Sequence, residues 1–524
     1  MTDTEGKNEQ EKLLTSENDD TPSKELDMLH FRDQDDGWKS YSKFSKFLLF
    51  FFFFWIGIIN HLGTILVMNG GRILAMELGV GDLLTLYTSG STVFAILTRL
   101  INSKLCLKVS YKKRVWIICF WMMAGYTTMY AVLELHSTVL SEYNILCFVL
   151  SFIPCFFLGS SYAFGEAAMV AYLRLFPKTL LAGWSSGTGL SGLVSGSLNF
   201  ASQLIDGFSL KYLYLILVPV GFVYLLLFIC TFRILKSQER KMQREERMSK
   251  GHMTIIRDSS NNKNNDDEFQ KPEEEYPEDE YIAPEEEEDQ KSIREAEDRD
   301  MEEMNKANQV ISLQNFKKVM GMVGRVIINL GLIYFLQFLC VNCIIVYVCN
   351  KYDISFLPEG CSKKNGGRYR RGKFEFINLS YQIGLFLSKT FIKIVRRIQP
   401  IEVYTSVIVI IIIIYIIQIF TEFMHWGVYL VIGLILGFFS GGTYAGGFYT
   451  ILNSDRVPKN YKELTVNIAT IFNDSGTFLS GILGFILNKT IMKPVYFDMG
   501  RCDDNVTDNT DMTDDSDITD SDTF

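Results

Sequence analysis

Ser186-Gly187-Thr188-Gly189-Leu190-Ser191-Gly192 opens one apolar stretch of the chain, and Ser475-Gly476-Thr477-Phe478-Leu479-Ser480-Gly481 opens another. Six of the seven positions are identical, and apolar residues then run on to Asn199 and to Asn488. The preceding stretches correspond as well, Tyr162-Ala163-Phe164-Gly165 against Tyr444-Ala445-Gly446-Gly447. A weaker echo sets Tyr87, Gly90 and Arg99 against Tyr381, Gly384 and Lys393. Several matches in the same order describe a chain built from two similar halves. Parallel repeats of this kind build two-bundle secondary transporters, whose substrate site lies between the halves near the membrane midplane. Small residues also let helices approach closely, and Gly433, Gly437 and Gly441 form such a face, as do Gly192 and Gly196. Close approach by itself leaves the recurrence of Ser-Gly-Thr as a unit unexplained.

A bilayer core of about 30 Å is crossed by about 20 apolar residues of helix. Eleven stretches of that kind lie at roughly 47–68, 80–101, 115–134, 144–171, 186–205, 212–232, 326–349, 376–395, 402–420, 427–452 and 465–488. The repeat is therefore six spans followed by five, the second half lacking its sixth helix. The first apolar stretch begins too late and is too long for a secretory signal peptide.

Composition agrees. Of 524 residues, 48% are hydrophobic and only 21% charged, and the net charge of −9 is unevenly spread. Residues 271–303 hold 17 acids against 4 bases, and residues 501–524 hold 9 Asp against Arg501, which leaves the rest of the chain net basic. An apolar body with basic edges and acidic tracts excludes a soluble enzyme, a secreted disulfide scaffold and a nucleic-acid binder as first readings. The domain reading is a cytosolic tail at 1–46, a six-span bundle at 47–235, a disordered acidic cytosolic linker at 236–320, a five-span bundle at 321–490, and an acidic disordered tail at 491–524. Lys and Arg gather in alternate short loops, with Lys104, Lys108 and Lys112–Arg114 in one and Lys393, Arg396 and Arg397 in another. That alternation predicts a cytosolic N-terminus and a lumenal C-terminus, where Asn505 begins an Asn-Val-Thr glycosylation sequence. Loop 350–375 breaks the alternation with seven Lys and Arg, which means either a local error in the span count or an anionic partner. Of ten cysteines most fall in apolar stretches; Cys349, Cys361 and Cys502 lie at or beyond span ends where an oxidising compartment would allow pairing, and the pairing, Cys349 with Cys361 included, stays open.

The pair Tyr162-Ala163-Phe164-Gly165-Glu166 and Gly183-Trp184-Ser185-Ser186-Gly187-Thr188-Gly189 resembles the signature of the battenin family of lysosomal and vacuolar membrane proteins. The resemblance continues at Gly57 to Gly70, Tyr381 to Gly384, Gly437 to Tyr444 and Asn473 to Gly481. It implies an all-α, major-facilitator-like fold in an endolysosomal or vacuolar membrane. It also implies a part in lumenal pH homeostasis and in efflux of a small polar solute of the basic amino acid or glycerophosphodiester class. The chain departs from the family at Gln337, where an acid is usual in the seventh span, and at Lys389, where the eighth span usually carries Arg. In the N-terminal tail, Glu9 followed by Leu13-Leu14 fits an acidic dileucine signal for clathrin adaptors, in keeping with a lysosomal address.

No nucleophile–base set, metal cluster, cofactor motif or nucleotide loop stands out, so no enzymatic activity, metal or cofactor is expected. Ionisable groups at membrane depth are costly and usually face a water-filled path or a partner. His61, Glu166, Lys389 and Asp474 meet that description. A structural hydrogen bond or a snorkelling end suits His61 and Lys389 better than function, whereas Glu166 and Asp474 lean toward function. The expectation is that Glu166, otherwise unpaired, takes a proton from an acidic lumen and gives it up to the cytosol. Ser186, Thr188, Ser475 and Thr477 would offer hydroxyls to a solute, and Lys389 a positive charge. The competing reading is a non-transporting scaffold or trafficking factor that acts through its cytosolic linker.

Overall fold

The computed structural model describes residues 41–105, 111–173, 178–205, 208–235, 237, 312–351, 361–364, 367–370, 373–395, 397, 400–458 and 461–492. The dileucine sequence, Asn505, the acidic linker except residues 237 and 312–320, nearly all of the C-terminal tail and half of loop 350–375 lie outside the described residues. Among the described residues, eleven helices correspond one to one with the eleven expected spans. They are α1 (Lys43–Asn69), α2 (Leu84–Leu105), α3 (Tyr111–Thr138), α4 (Phe152–Leu173), α5 (Lys178–Leu204), α6 (Leu210–Leu235), α7 (Leu313–Leu339), α8 (Lys373–Thr390), α9 (Glu402–Thr421), α10 (Trp426–Asn453) and α11 (Lys462–Thr490). A short helix, Gly71–Glu77, follows α1. Helices dominate because a chain crossing lipid must satisfy its backbone groups within each segment. The one strand pairing among the described residues is a hairpin, β1 (Cys361–Lys364) with β2 (Gly367–Arg370), in which Lys363 faces Arg368 across the ladder.

Serine caps start two helices. The Ser42 side chain accepts from the Ser45 N–H at the head of α1, and Ser312 accepts from Asn315 at the head of α7. The α7 cap places the helix start at Leu313, inside the stretch read as linker from sequence. The early turns of α7 are polar, and the helix kinks at Val323 (φ −141°, ψ 21°), between Gly321 and Gly324, before its apolar run begins. Beyond Leu339 the helix passes through a π-turn, Cys340–Ile345, and ends at Lys351.

Nine of the helical segments are long and apolar enough to cross a membrane; α5 and α8 are the exceptions. Those two pack against each other between the halves, where Ser, Gly, Thr and Gln meet protein rather than lipid. Bulky apolar side chains such as Phe120 on α3, Leu226 on α6 and Ile410 and Ile413 on α9 point outward.

Equivalent contacts recur in the two halves. Helices α1 and α5 pack together, as do α7 and α11, and α2–α4 corresponds to α8–α10. The halves meet along two seams, α2–α11 and α5–α8, which a twofold operation exchanges. The agreement reaches single residues. A Cβ built at Gly187 would lie 2.0 Å from the Phe54 carbonyl oxygen, and one at Gly476 would lie 2.1 Å from that of Gly331. Gly159 abuts Ser91 as Gly441 abuts Leu385, and Gly90 abuts Phe152 as Gly384 abuts Leu434. Asn199 donates to the Leu66 carbonyl of α1, and its counterpart Asn488 accepts from the Cys343 thiol of α7. The expected small-residue face is also present, since Gly433, Gly437 and Gly441 meet Ile377, Tyr381 and Leu385 on α8.

The recurrence of Ser-Gly-Thr acquires a packing cause here. Gly187 and Gly476 are crossing points within each half, and Gly192 and Gly481 are crossing points between halves, against Gln382 and Ser89. Thr188 donates to the Ser185 carbonyl and Thr477 to that of Asn473, while Ser191 and Ser480 donate to the Thr188 and Thr477 carbonyls at 2.7 Å each. These hydroxyls thus bond to their own helices, which allows polar side chains at a dry crossing.

Candidate functional site: a charged cluster between the halves

Glu166 on α4 is not the unpaired carboxylate expected from sequence. Arg99 of α2, 2% exposed, donates from Nη2 to Glu166 Oε2 at 2.5 Å and from Nε to Asp474 Oδ2 of α11 at 2.7 Å. Arg99 is thus shared between a carboxylate of its own half and one of the other. Its Nη1 reaches the Ala163 carbonyl at 3.5 Å, and its guanidinium lies 5.3 Å from the centre of the Tyr162 ring. The second oxygen of Glu166 accepts from the Tyr444 hydroxyl of α10 at 2.7 Å, and His61 Nε2 of α1 stands 3.8 Å from it. Placing two anions in the interior is costly, and the bidentate fork of one guanidinium offsets much of that cost.

His61 is held edge-on to Tyr162 and Trp184, with ring centres 4.8 and 5.9 Å away. Lys389 of α8 extends past Gly189, and its Nζ lies 4.5 Å from the centre of the Tyr444 ring. Among the described residues Lys389 forms no ion pair. The structure therefore gathers four of the sequence candidates, His61, Glu166, Lys389 and Asp474, around Arg99 and Tyr444. Thr188 and Thr477, both buried, keep their hydroxyl protons on their own helices; Ser186 is buried and Ser475 half-buried beside them. Arg99 entered the sequence argument only as part of the repeat. Its cost at membrane depth was the signal that would have singled it out, because two in-span acids and one lysine leave a cation missing.

A second buried ion pair joins the halves at the opposite end of the bundle. Arg72, in the short helix after α1, donates to Glu375 near the start of α8 at 2.8 Å, both side chains being about 5% exposed. At the same end Lys489 of α11 pairs with Asp82, just before α2. Polar contacts line the seams between these levels: Gln382 donates to Asn69, Asn342 to Thr88, and Ser89 to the Phe478 carbonyl. No group of three or more His, Cys, Asp or Glu side chains suited to a metal occurs among the described residues.

Two helical bundles related by a twofold, with buried charges at their interface, define a major-facilitator-like membrane protein. Two solved structures of POT family transporters share the fold. One, in complex with a thioalcohol-conjugated peptide, superposes with a TM-score of 0.51 at 11% identity, over 86% of this chain and 92% of that one. The other, in complex with 5-aminolevulinic acid, gives 0.50 at 11% identity with the same coverage. Residues 51–493 match the CLN3 protein family, and the chain belongs to it. It is 24% identical to Battenin of Dictyostelium discoideum over 76% of this chain and 84% of that protein. It is 23% identical to Protein BTN1 of Candida glabrata over 63% of this chain and 72% of that one. The protein is accordingly a multi-pass membrane protein with a transporter-like fold, as its repeat and spans had indicated.

Proposed function

We propose that the protein moves a small polar solute out of a lysosome or vacuole, coupled to protons, and so contributes to lumenal pH homeostasis. The observation that carries this reading is the buried cluster contributed by both halves, in which Lys389 forms no ion pair among the described residues. A symmetric two-bundle fold exposes such a cluster to one side and then the other as the halves rock. Arg99 occupies both carboxylates of the cluster, which leaves no free anion there for a basic amino acid, whereas Lys389 is available to a phosphodiester or carboxylate. The anionic side of the expected solute range is therefore preferred. Hydroxyls of Ser186, Thr188, Ser475 and Thr477 retain lone pairs that can accept from a solute. The alternating basic loops support a cytosolic N-terminus, and Glu9, Leu13 and Leu14 support adaptor-directed sorting.

Purified protein in liposomes with an acidic interior should release a trapped glycerophosphodiester faster than protein-free liposomes. Lys389→Gln should abolish that release, and Lys389→Arg should retain it. No movement of any solute across a broad metabolite panel would leave the scaffold reading in its place. In cells, Leu13→Ala with Leu14→Ala should shift the protein toward the surface; an unchanged address would assign sorting to another signal.

A further inference from the structure

The two carboxylates of the cluster are held very unequally. Glu166 receives Arg99 and Tyr444 and faces His61, groups from three different helices and both halves. Asp474 receives one donor, Arg99 Nε, and that donor comes from across the α2–α11 seam. Neutralising Glu166 would strip Arg99 of its own-half partner and leave the Tyr444 hydroxyl and His61 without their anion. Neutralising Asp474 breaks one contact and leaves Arg99 bound to Glu166. That one contact is also the ion pair tying the halves at this level.

Resting on the transport reading, we propose that Arg99–Asp474 is the releasable latch between the halves and that proton uptake by Asp474 both opens it and creates the demand for an anionic solute. The second part follows from charge. The titratable groups facing Asp474 are Arg99 from α2, Glu166 and Tyr162 from α4 and Tyr334 from α7, while Lys389 from α8, Tyr444 from α10 and His61 from α1 face Glu166. With both carboxylates ionised, Arg99 and Lys389 balance them and the site is neutral. A proton on Asp474 leaves one excess positive charge, located at Lys389 because Arg99 stays with Glu166. A buried site strongly favours net neutrality. An anion beside Lys389 restores it, so one proton is carried with each monoanionic solute. Departure of the proton to the other side removes the demand and releases the solute. Glu166 serves in this scheme as the fixed positioning residue that holds Arg99 in its own half.

The latch can be tested without any transport. Hydrogen exchange of the full-length protein in nanodiscs, corrected for intrinsic rates, is compared at about pH 5 and about pH 7.5 over the peptides covering the end of α2 and the start of α11. Wild type should exchange about tenfold faster there at the lower pH, with no such change at the Arg72–Glu375 end. Asp474→Asn should exchange fast at both pH values, and Glu166→Gln should keep the pH response. Arg99→Lys preserves the charge but cannot reach both carboxylates, so it too should be fast throughout; it carries the test if Asp474→Asn does not fold. A wild-type pH response in both Asp474→Asn and Arg99→Lys, or its loss in Glu166→Gln alone, overturns the latch. In liposomes the proton-to-solute ratio should be one for a monoanion; a ratio unchanged in Asp474→Asn overturns the coupling. Failure of wild type to move any solute defeats the transport reading and leaves the exchange result standing.

Discussion

The two seams between the halves have the same backbone design and opposite electrostatics. Along α2–α11 the charges are matched, Asp82 with Lys489 at one end and Arg99 with Asp474 toward the other, and Ser89 and Gly481 make the crossing between them. Along α5–α8 the equivalent crossing is made by Gly192 and Gln382, an amide contact to Asn69 supports it, and Lys389 forms no ion pair among the described residues. The difference teaches where chemistry entered a symmetric frame. Glu166 follows the Tyr-Ala-Phe-Gly unit where the repeat carries Phe448, and Asp474 precedes Ser-Gly-Thr where the repeat carries Ser185. The residues that agree between the halves make the scaffold, and the two buried acids of the cluster fall where the halves disagree, around an Arg99 that belongs to the repeat.

The sharpest way to break this comparison is to unbalance the matched seam. Arg99→Ala leaves two buried carboxylates facing each other and should cost about 3–5 kcal/mol, seen as a large fall in the unfolding midpoint of the purified protein. Combining Arg99→Met with Glu166→Gln, Asp474→Asn and Lys389→Gln should recover most of the loss, because a cluster without ions strands no charge. A melting midpoint for Arg99→Ala equal to wild type would mean that the cluster is solvated in solution. The Arg72–Glu375 pair should behave alike on a smaller scale. Either single neutralisation costs about 2–3 kcal/mol, whereas Arg72→Met with Glu375→Met together comes close to wild type. Additive losses in the double variant would show that the two residues do not act as a pair.

Backbone contacts that both seams depend on should give smaller effects. A Cβ at Gly437 would lie 1.9 Å from the Tyr381 carbonyl oxygen, a backbone atom that moves only with its helix, so Gly437→Ala should cost about 1–3 kcal/mol. Nothing lies within 4 Å of a Cβ at Gly321, and Gly321→Ala should instead stabilise by about 0.5–1 kcal/mol through lower unfolded-state entropy. Equal midpoints for these two variants would remove the close-packing account of the glycines.

Much of the frame was legible in the chain because lipid makes hydropathy a direct constraint. The positions of all eleven helices were readable, nine of them long and apolar enough among the described residues to cross a membrane, and the repeat paired the two halves. The helix starts were less legible. The early turns of α7 are polar and preceded by acidic sequence, and only the Ser312 cap marks where the helix begins. The site was half legible. Glu166 and Asp474 stood out as isolated acids in apolar sequence, but their shared partner did not, because Arg99 sits six residues from the end of α2, where a basic residue also reads as a loop marker. That Arg99 reaches inward to α4 and α11 is a property of helix packing, which no window of sequence contains. Arg72 and Glu375 were hidden for the same reason, each lying at the end of a span and far from the other in sequence.

The smallest expected change in stability falls on the unmatched seam and tests it most directly. Lys389 contributes a cation–π contact with Tyr444, a contribution of about 0.5–1 kcal/mol, and an aliphatic stem packed against Gly189. Glutamine keeps the first part of that stem, so Lys389→Gln should lower the unfolding midpoint only slightly. The excess negative charge it leaves is one that a proton on Asp474 can cancel, and Asp474 is the carboxylate that loses least by accepting it. The variant should therefore fold and exchange hydrogen at the end of α2 as though the latch were already released, even near neutral pH, yet fail to carry an anion. Lys389→Arg should restore both the pH response and anion transport, since the positive charge and not the ammonium geometry sets the balance. If Lys389→Gln instead melts as far below wild type as Arg99→Ala does, Lys389 belongs to the structural network. The contrast between a matched and an unmatched seam would then have to be given up.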